Sequence, residues 1–382
     1  MKKSLLTIGL LLFLAPLLQG QEAGAGWFAR TVRKLSTRLT TPDRVYDTTY
    51  VYQLKEPWGL SLDVDLIRTG LEMRSDSGLQ NADPTTHHSA HLRPDLYKKI
   101  GAGISYGTLQ LAHTFEVGKN SARRNKYTRL ALGRPRFGIS FQYYRISEFL
   151  DGSVHFDDNP ARDFDFSSRD PGEMRNLVID AFYFFNPDRF AYSAINGLNV
   201  MQRRSGGSWM LRACYNQGEF RLDPGDPLVL GSYDHIGRLR SGEFSVGGGY
   251  SFNWVPLHTA PNGNSIKGLR NLTLNATLVP GLTGYNHLHS TAYTYPDTGT
   301  PVEGKTYRAY TYGLPGLTLA ARAGASFTWE RFQLSSIFTF NRSVFRGGDT
   351  VNMDEITRER YRTQTSGAFF DVTARIQFAV RF

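Results

Sequence analysis

Charged residues at alternate positions of apolar segments are the first candidates for chemistry in this sequence. Asp63 and Asp65 alternate with Leu62, Val64 and Leu66. Carboxylates and guanidinium groups on one face of a sheet attract one another, and they line a polar passage if that sheet closes on itself. The charged residues that the alternation places on such an inner face are Asp63, Asp65, Glu116, Arg212, Arg322, Arg375 and Arg381.

Both signs of charge occur in this inner set, so two interpretations stay open. One is a structural lattice of charges that narrows a small lumen, and the other is a pathway for a solute. A pore selective for one ion sign would instead show rings of one charge. Pairing of the first and last strands would bring Asp63 and Asp65 towards Arg375 and Arg381.

A second candidate site is a run of cations with no acid in residues 118–135, which the sequence predicts to be an outer loop. Arginine and lysine pair well with phosphate oxygens, so such a loop could bind lipopolysaccharide phosphates, or it could simply be solvated. Nucleic acid is not an expected partner outside the cell. The cations are Lys119, Arg123, Arg124, Lys126, Arg129 and Arg134.

Catalytic and metal-binding constellations are weak. A membrane hydrolase needs a serine nucleophile, a histidine base and a third polar group in contact. The pairs His87 with Ser89 and His289 with Ser290 fall in predicted loops, and His113 is the histidine that we place on the lipid face. A cluster at His87, His88 and His91 has no cysteine nearby, so we predict solvated side chains there. We expect no catalytic residue, no metal and no cofactor.

The N-terminus indicates export. Lys2 and Lys3 precede an apolar run at residues 5–18, and small residues follow, which is the order of a signal peptide. We predict a signal at residues 1–20, with a cut after Gly20 or Ala25. Downstream of it, residues 26–56 are predicted as a basic amphipathic periplasmic segment. It could lie on the inner surface of the outer membrane, form a flexible tail or plug the lumen.

Composition favours a membrane barrel over a secreted globular domain. Aromatic residues make up 13% of the 382 residues, glycines number 38, and Cys214 has no second cysteine with which to form a disulfide. No stretch beyond the signal has the roughly 20 apolar residues of a membrane helix. The formal net charge of +10 fits anionic lipid and lipopolysaccharide as partners.

The C-terminal residues 370–382 form the clearest predicted strand. Phe370, Val372, Ile376, Phe378 and Phe382 lie on one face at a period of two, and polar residues alternate with them. A terminal aromatic on such a strand resembles the signal read by the barrel-insertion machinery. We therefore expect that machinery to be a partner through the strand ending at Phe382. The alternative is an edge strand of a soluble sandwich.

Similar alternation upstream predicts an all-β fold, a closed antiparallel transmembrane β-barrel of about twelve strands at residues 57–382. One predicted strand leads away from Asn186-Pro187-Asp188 through Phe190, Tyr192 and Ala194. Residues 148–173 fit poorly as a long periplasmic connection. Two extra strands within them, near Val154 and Phe164, would raise the count to fourteen.

Residues 183–208 read YFFNPDRFAYSAINGLNVMQRRSGGS, and further motifs are YDTTY at 46–50, GAGISYGTLQL at 101–111 and GGGYSFNWVP at 247–256. Over roughly residues 40–382 the chain resembles an uncharacterised outer-membrane β-barrel family of Bacteroidetes, a domain of unknown function. It departs from that pattern at residues 200–204, where an acidic or polar residue and a lysine pair are expected. The resemblance implies a fold and an outer-membrane location, and no activity.

The sequence therefore predicts an integral protein of the Gram-negative outer membrane that acts as a narrow channel, a transport component or a structural barrel. The alternative is a surface adhesion or lipopolysaccharide-binding module with the barrel as its pedestal. A second alternative is an outer-membrane hydrolase. No oligomeric state is predicted.

Overall fold

A computed structural model provides the structure of the protein. The residues that it describes are 46–54, 56, 58–79, 86–93, 97–117, 125–146, 151–156, 164–167, 173–197, 199–221, 224, 236–260, 267–294, 301–312, 316–346, 350–353 and 360–382. No helix in these ranges is long and apolar enough to cross a membrane.

These described ranges contain nineteen β-strands and a short 3₁₀ helix at Tyr192–Ile195. In chain order the strands are β1 (Val51–Gln53), β2 (Trp58–Leu79), β3 (Thr86–Arg93), β4 (Tyr97–Tyr106), β5 (Leu109–Glu116), β6 (Lys126–Gly133), β7 (Phe137–Ile146), β8 (Asp151–Phe156), β9 (Phe164–Ser167), β10 (Glu173–Phe184), β11 (Val200–Gln202), β12 (Gly206–Arg221), β13 (Ile236–Thr259), β14 (Arg270–Thr294), β15 (Val302–Tyr312), β16 (Leu317–Trp329), β17 (Phe332–Arg346), β18 (Thr350–Met353) and β19 (Arg360–Arg381).

Twelve of these strands form a closed antiparallel barrel, as the sequence predicts. The ring runs β2, β4, β5, β6, β7, β10, β12, β13, β14, β16, β17 and β19, and β19 pairs with β2 to close it. Closure leaves no strand edge in the wall, so the backbone groups of the wall are paired within the sheet, as a membrane interior requires.

The wall shows apolar residues outward and polar residues inward. On β2, Leu62 is 62% exposed whereas its neighbour Asp63 is 0% exposed. On β19, Ile376 and Phe378 are exposed and the intervening Gln377 is buried. Side chains alternate sides along a strand, so each wall strand presents apolar side chains to lipid and polar side chains to the lumen.

The two ends of the barrel differ. At one end, which we call the turn end, short connections such as Gly107-Thr108 and Glu330-Arg331 join the strands. Phe382 at this end donates its backbone N–H to the Trp58 carbonyl at 3.1 Å. Gly107 adopts a positive φ of 56°, which glycine tolerates without strain. At the opposite end, which we call the loop end, the wall is extended beyond the ring by strands β3, β8, β9, β15 and β18.

The predicted count of twelve is confirmed, although one predicted strand is wrong and one observed wall strand is missing from the prediction. The sequence interpretation missed β6, whose alternation of Tyr127, Arg129 and Ala131 with Thr128 and Leu130 is hidden by its cations. The predicted strand at Phe190 to Ala194 is wrong, because this segment bends into a 3₁₀ helix. A buried apolar segment with small residues imitates a short alternating strand.

The fourteen-strand alternative is wrong as well. Strands β8 and β9 do form, but β8 pairs with β3 at the loop end, while β7 pairs directly with β10 in the wall. The connection at residues 147–172 is therefore at the loop end rather than on the periplasmic side that the sequence analysis expected. The predicted strand order would make Asn186-Pro187-Asp188 a short outer connection, but this turn is at the turn end.

Residues 185–205, which we call the plug, connect β10 to β12 and fold back into the turn end of the barrel. Phe190 and Ile195 are fully buried there. The plug contributes β11, which pairs with β1 in a separate two-stranded sheet. The described part of the N-terminal segment thus lies against the plug.

Candidate functional site

An alternating row of charges crosses the inner wall near the barrel seam. In the strand ladder Glu116 lies opposite Lys99, Lys99 opposite Asp65, and Asp65 opposite Arg375. All four side chains are buried. Opposite charges directly across a strand pair attract, so this row joins β5, β4, β2 and β19 from inside.

The strongest contact in this row is the ion pair of Asp65 with Arg375. The two guanidinium nitrogens Nε and Nη2 of Arg375 lie 2.6 and 3.0 Å from the two carboxylate oxygens of Asp65. Such a bidentate pair is directional as well as charged. It stands at the seam that closes the barrel, between the first and last wall strands.

Further hydrogen bonds cross the lumen itself. Arg212 on β12 pairs with Asp180 on β10 and donates across the barrel to the Asn341 amide oxygen at 3.3 Å. The Tyr144 hydroxyl donates to Asp371 at 2.9 Å, so β7 is tied to β19 on the opposite side. These bridges narrow the lumen towards the loop end.

The plug closes the lumen at the turn end. Gln202 is its central side chain: its amide nitrogen donates to the Arg189 and Arg204 carbonyls at 2.7 and 2.8 Å, and its amide oxygen accepts from Ala191 N–H at 2.9 Å. From the wall, Asn253 donates to the Ala191 carbonyl at 2.8 Å. Two further wall amides, Gln110 and Gln333, donate to the Asn196 and Ile195 carbonyls at 3.1 and 3.4 Å. Gln202 therefore organises the plug internally, and these wall side chains hold the plug to the barrel.

The N-terminal residues 46–54 pack beneath the plug. Arg203 N–H donates to the Tyr50 carbonyl at 2.7 Å, and Leu54 N–H donates to the Asn199 carbonyl at 2.9 Å. An apolar cluster of Val51, Ala191, Ala194 and Val200 forms the contact. Outside the wall, Asp47 accepts two hydrogen bonds from Thr49, which lower the pKa of its carboxyl group below the usual value.

A cavity of about 180 Å³ lies between the plug and the cross-lumen bridges. Its lining includes four arginines and one acid, which are Arg129, Arg212, Arg322, Arg375 and Asp180. Tyr192 of the plug also lines it, and the Arg322 guanidinium carbon lies 4.5 Å from the centre of the Tyr192 ring. The lining is thus a mixture of polar and apolar groups, and its charged groups are predominantly cationic.

The structure brings most, but not all, of the predicted inner residues together. Asp63, Asp65, Glu116, Arg212, Arg322 and Arg375 are buried on the inner side of the wall. The expected proximity of Arg381 to Asp63 and Asp65 is wrong. Arg381 is paired with Gly59 at the turn end and donates to the Glu330 carbonyl at 2.5 Å, because strand register places it six residues beyond Arg375.

The predicted cationic outer loop is corrected. Lys126 and Arg129 belong to β6, and Arg129 lines the cavity instead of facing outward. Arg134 follows β6 at the turn end, where its N–H donates to the Phe137 carbonyl at 2.8 Å. The strand runs the whole way between the two ends, so its cations cannot share one loop. Lys119, Arg123 and Arg124 lie outside the described residues.

Sequence reasoning missed several residues of this site. The predicted strand begins at Ile100, one residue too late to include Lys99. The same period of two places Lys99 on the inner face. Tyr144 looks like an interfacial anchor in the sequence but is buried in the lumen. Gln202 carries no periodic signal at all, since its role arises only when the plug folds back.

Structural comparisons return bacterial outer-membrane proteins. The Escherichia coli outer membrane protease OmpT is 11% identical, with 85% of this chain and 97% of that chain covered and a TM-score of 0.43. A bacterial polysaccharide outer membrane secretin is 7% identical, with 86% and 99% covered and a TM-score of 0.29. The Pseudomonas putida toluene transporter TodX is 8% identical, with 91% and 92% covered and a TM-score of 0.23.

All three TM-scores are below 0.5, so none of these proteins assigns an activity to this chain. No curated protein matches it. A family profile described as "Domain of unknown function (DUF4421)" matches residues 45–259, which run from just before β1 to the end of β13 and include the plug. The chain therefore belongs to the DUF4421 family.

Proposed function

We propose that the protein is an outer-membrane barrel whose narrow polar lumen is a gated passage for small solutes, held closed by the plug. The proposal includes export through a cleaved signal at residues 1–20 and a turn end that faces the periplasm. It also includes an origin in Bacteroidetes, which the motif resemblance supports. The observation that carries the function is the cavity that lies between the plug and the cross-lumen bridges.

Polar walls and a removable closure support a passage. The wall strands are joined to their neighbours along their length, whereas the plug is one connection between β10 and β12. Breaking the side-chain hydrogen bonds and the apolar packing of the plug would release it without opening the barrel ring. A closure that can move while its frame stays intact is what a gate requires.

The competing proposal, a lipopolysaccharide-binding pedestal, loses support from the position of β6. Arg129 and Arg134 are at the lumen and the turn end, which leaves Lys126 exposed near the loop end. We assign no catalytic step to the chain. The outward-facing His113 shares a 2.9 Å hydrogen bond with the Thr128 hydroxyl rather than with a serine.

Planar-bilayer conductance of the purified full-length protein tests the gate. A Cβ placed at Gly133 would lie 3.6 Å from the Ser193 Cβ, within the range of about 3.5–4.5 Å that disulfides need. The variant Gly133→Cys with Ser193→Cys, in a Cys214→Ser background, can therefore lock the plug to the wall. We expect brief openings in the background protein and silence after oxidation of the locked protein.

Reductant should restore the openings of the locked protein, and Gln202→Ala should make openings longer or more frequent. The Cys214→Ser background, with and without oxidant, controls for the treatment. Conductance that persists in the oxidised lock would contradict plug gating. Silence of every variant, including Gln202→Ala, would show that the barrel is not a passage.

A further inference from the structure

The cationic lining of the lumen cavity is unevenly neutralised. Arg212 is paired with Asp180, and Arg375 with Asp65. Arg129 lies in the field of Asp63 and Asp65. Neither Arg129 nor Arg322 has a carboxylate within ion-pair distance among the described residues, and Arg322 is the more deeply buried of the two.

Arg322 is buried, with 8% of its surface exposed, and its Nη2 atom has no hydrogen-bond partner in the described part of the chain. One face of the guanidinium lies over the Tyr192 ring. A cation–π contact satisfies the face of a guanidinium but not the N–H groups at its edge. A buried donor without an acceptor is costly, which points to an acceptor that occupies the cavity.

Neighbouring groups complete an anion-binding arrangement. Thr277 and Thr339 flank Arg322 in the strand ladder, and both line the cavity. The Thr277 hydroxyl is already hydrogen-bonded to Ser251 and Asn275, which leaves Thr339 as the hydroxyl donor. Arg212 lines the same cavity with its positive charge. Guanidinium and hydroxyl groups are the donors that proteins use for phosphate and carboxylate oxygens. The volume of about 180 Å³ admits a small anion with some of its hydration.

We propose that this cavity is a binding site for a small oxyanion, with Arg322 as its main ligand and Thr339 and Arg212 as further donors. The site deepens the proposed function, on which it rests for its role, by naming the solute class of the passage. The plug contributes Tyr192, which fixes the orientation of Arg322. Movement of the plug would then alter the site itself.

Binding of inorganic phosphate tests the site directly. The full-length protein is refolded from urea into detergent micelles in the presence of radioactive phosphate, so the closed plug does not limit entry, and retained phosphate is measured after gel filtration. Heat-modifiability on gels verifies that each variant is folded. We expect saturable binding by the wild type, at least a tenfold loss of affinity in Arg322→Gln and a smaller loss in Arg322→Lys.

Arg342→Gln is the matched control, because Arg342 is an exposed arginine on the same hairpin that does not line the cavity. Its phosphate affinity should equal that of the wild type. Absence of binding by the folded wild type, or equal losses in Arg322→Gln and Arg342→Gln, would overturn the site. Phosphate binding by a protein that is silent in bilayers would keep the site and reject the passage.

Discussion

The wall and the plug follow opposite rules of hydropathy within one molecule. On the wall, Leu62 and Ile376 face outward and Asp65 is buried. In the plug, Phe190 and Ile195 are buried as in a water-soluble protein. The wall places its apolar groups in lipid, whereas the plug must bury its apolar groups against the barrel and residues 46–54.

This difference indicates which part of the molecule can move. Each wall strand is held on both sides by its neighbours, and removal of any one opens the ring. The plug is held to the wall by hydrogen bonds from Asn253, Gln110 and Gln333, and by apolar packing with β1 and β10. Loss of those contacts would free the plug and leave the ring closed.

The largest expected effect is on the seam of the wall. Arg375→Glu places a carboxylate beside Asp65 in the lumen, and breaking a buried ion pair costs about 3–5 kcal/mol. We expect a large fall in the temperature at which the folded band disappears on unboiled gels. Arg375→Lys keeps the charge but loses the bidentate geometry, so this temperature should fall less in Arg375→Lys than in Arg375→Glu. Equal tolerance of Glu and Lys would show that the seam does not depend on this pair.

A charge on the lipid face sharpens the wall side of the comparison. Leu62→Arg should destabilise the barrel by about 2–4 kcal/mol, because the guanidinium would enter hydrocarbon. Urea unfolding in lipid vesicles measures the change, with Leu62→Ala as the control for lost side-chain volume. A smaller loss in Leu62→Arg than in Leu62→Ala would place this residue outside the membrane.

Substitution of Gln202 should lower the stability of the plug and leave the stability of the wall unchanged. Gln202→Ala leaves the buried Ala191 N–H without its acceptor, at a cost of about 1–3 kcal/mol. Trypsin should then cut at Arg203 about 5- to 150-fold faster, while the folded band on gels persists. Gln377→Ala is the control, since Gln377 is a buried wall residue. A loss of the folded band in Gln202→Ala would mean that plug and wall unfold together.

The smallest effect concerns the N-terminal segment beneath the plug. The pKa of Asp47 is lowered, chiefly by the Thr49 hydroxyl, so its ionised form stabilises the fold above the ordinary aspartate value of about 4. Asp47→Asn should lower the urea midpoint slightly at neutral pH. The difference from wild type should shrink as the pH falls through the lowered pKa. A difference that does not change between neutral and strongly acidic pH would exclude the carboxylate as its cause.

The sequence predicts the wall well because each wall strand carries its own period of two. Asp65, Arg375 and the outward Phe378 can be assigned from local alternation together with the rule that first and last strands pair. The same reasoning fails where local pattern and tertiary structure diverge. The cationic neighbours of Arg129 predict a loop, although ladder pairing with Ala112 makes this residue part of the wall.

The plug could not be predicted from alternation. The alternation of Phe190, Tyr192 and Ala194 resembles that of a strand. Only the packing of this segment between the wall and residues 46–54 distinguishes it from one. The site residues that the plug contributes, Tyr192 and Gln202, depend on a fold-back that no local spacing encodes. Pro187 and Gly197, which interrupt the alternation, are the sequence signals that come closest to indicating it.

Disulfide formation in native outer membranes tests the placement of the plug most directly. In cells that express Gly133→Cys with Ser193→Cys in the Cys214→Ser background, mass spectrometry of proteolysed membranes measures the cross-linked peptide. If the plug lies inside the turn end, the two cysteines should form an intramolecular disulfide in nearly all molecules. Free thiols at both positions after oxidation, in a barrel that is folded, would contradict a plugged lumen.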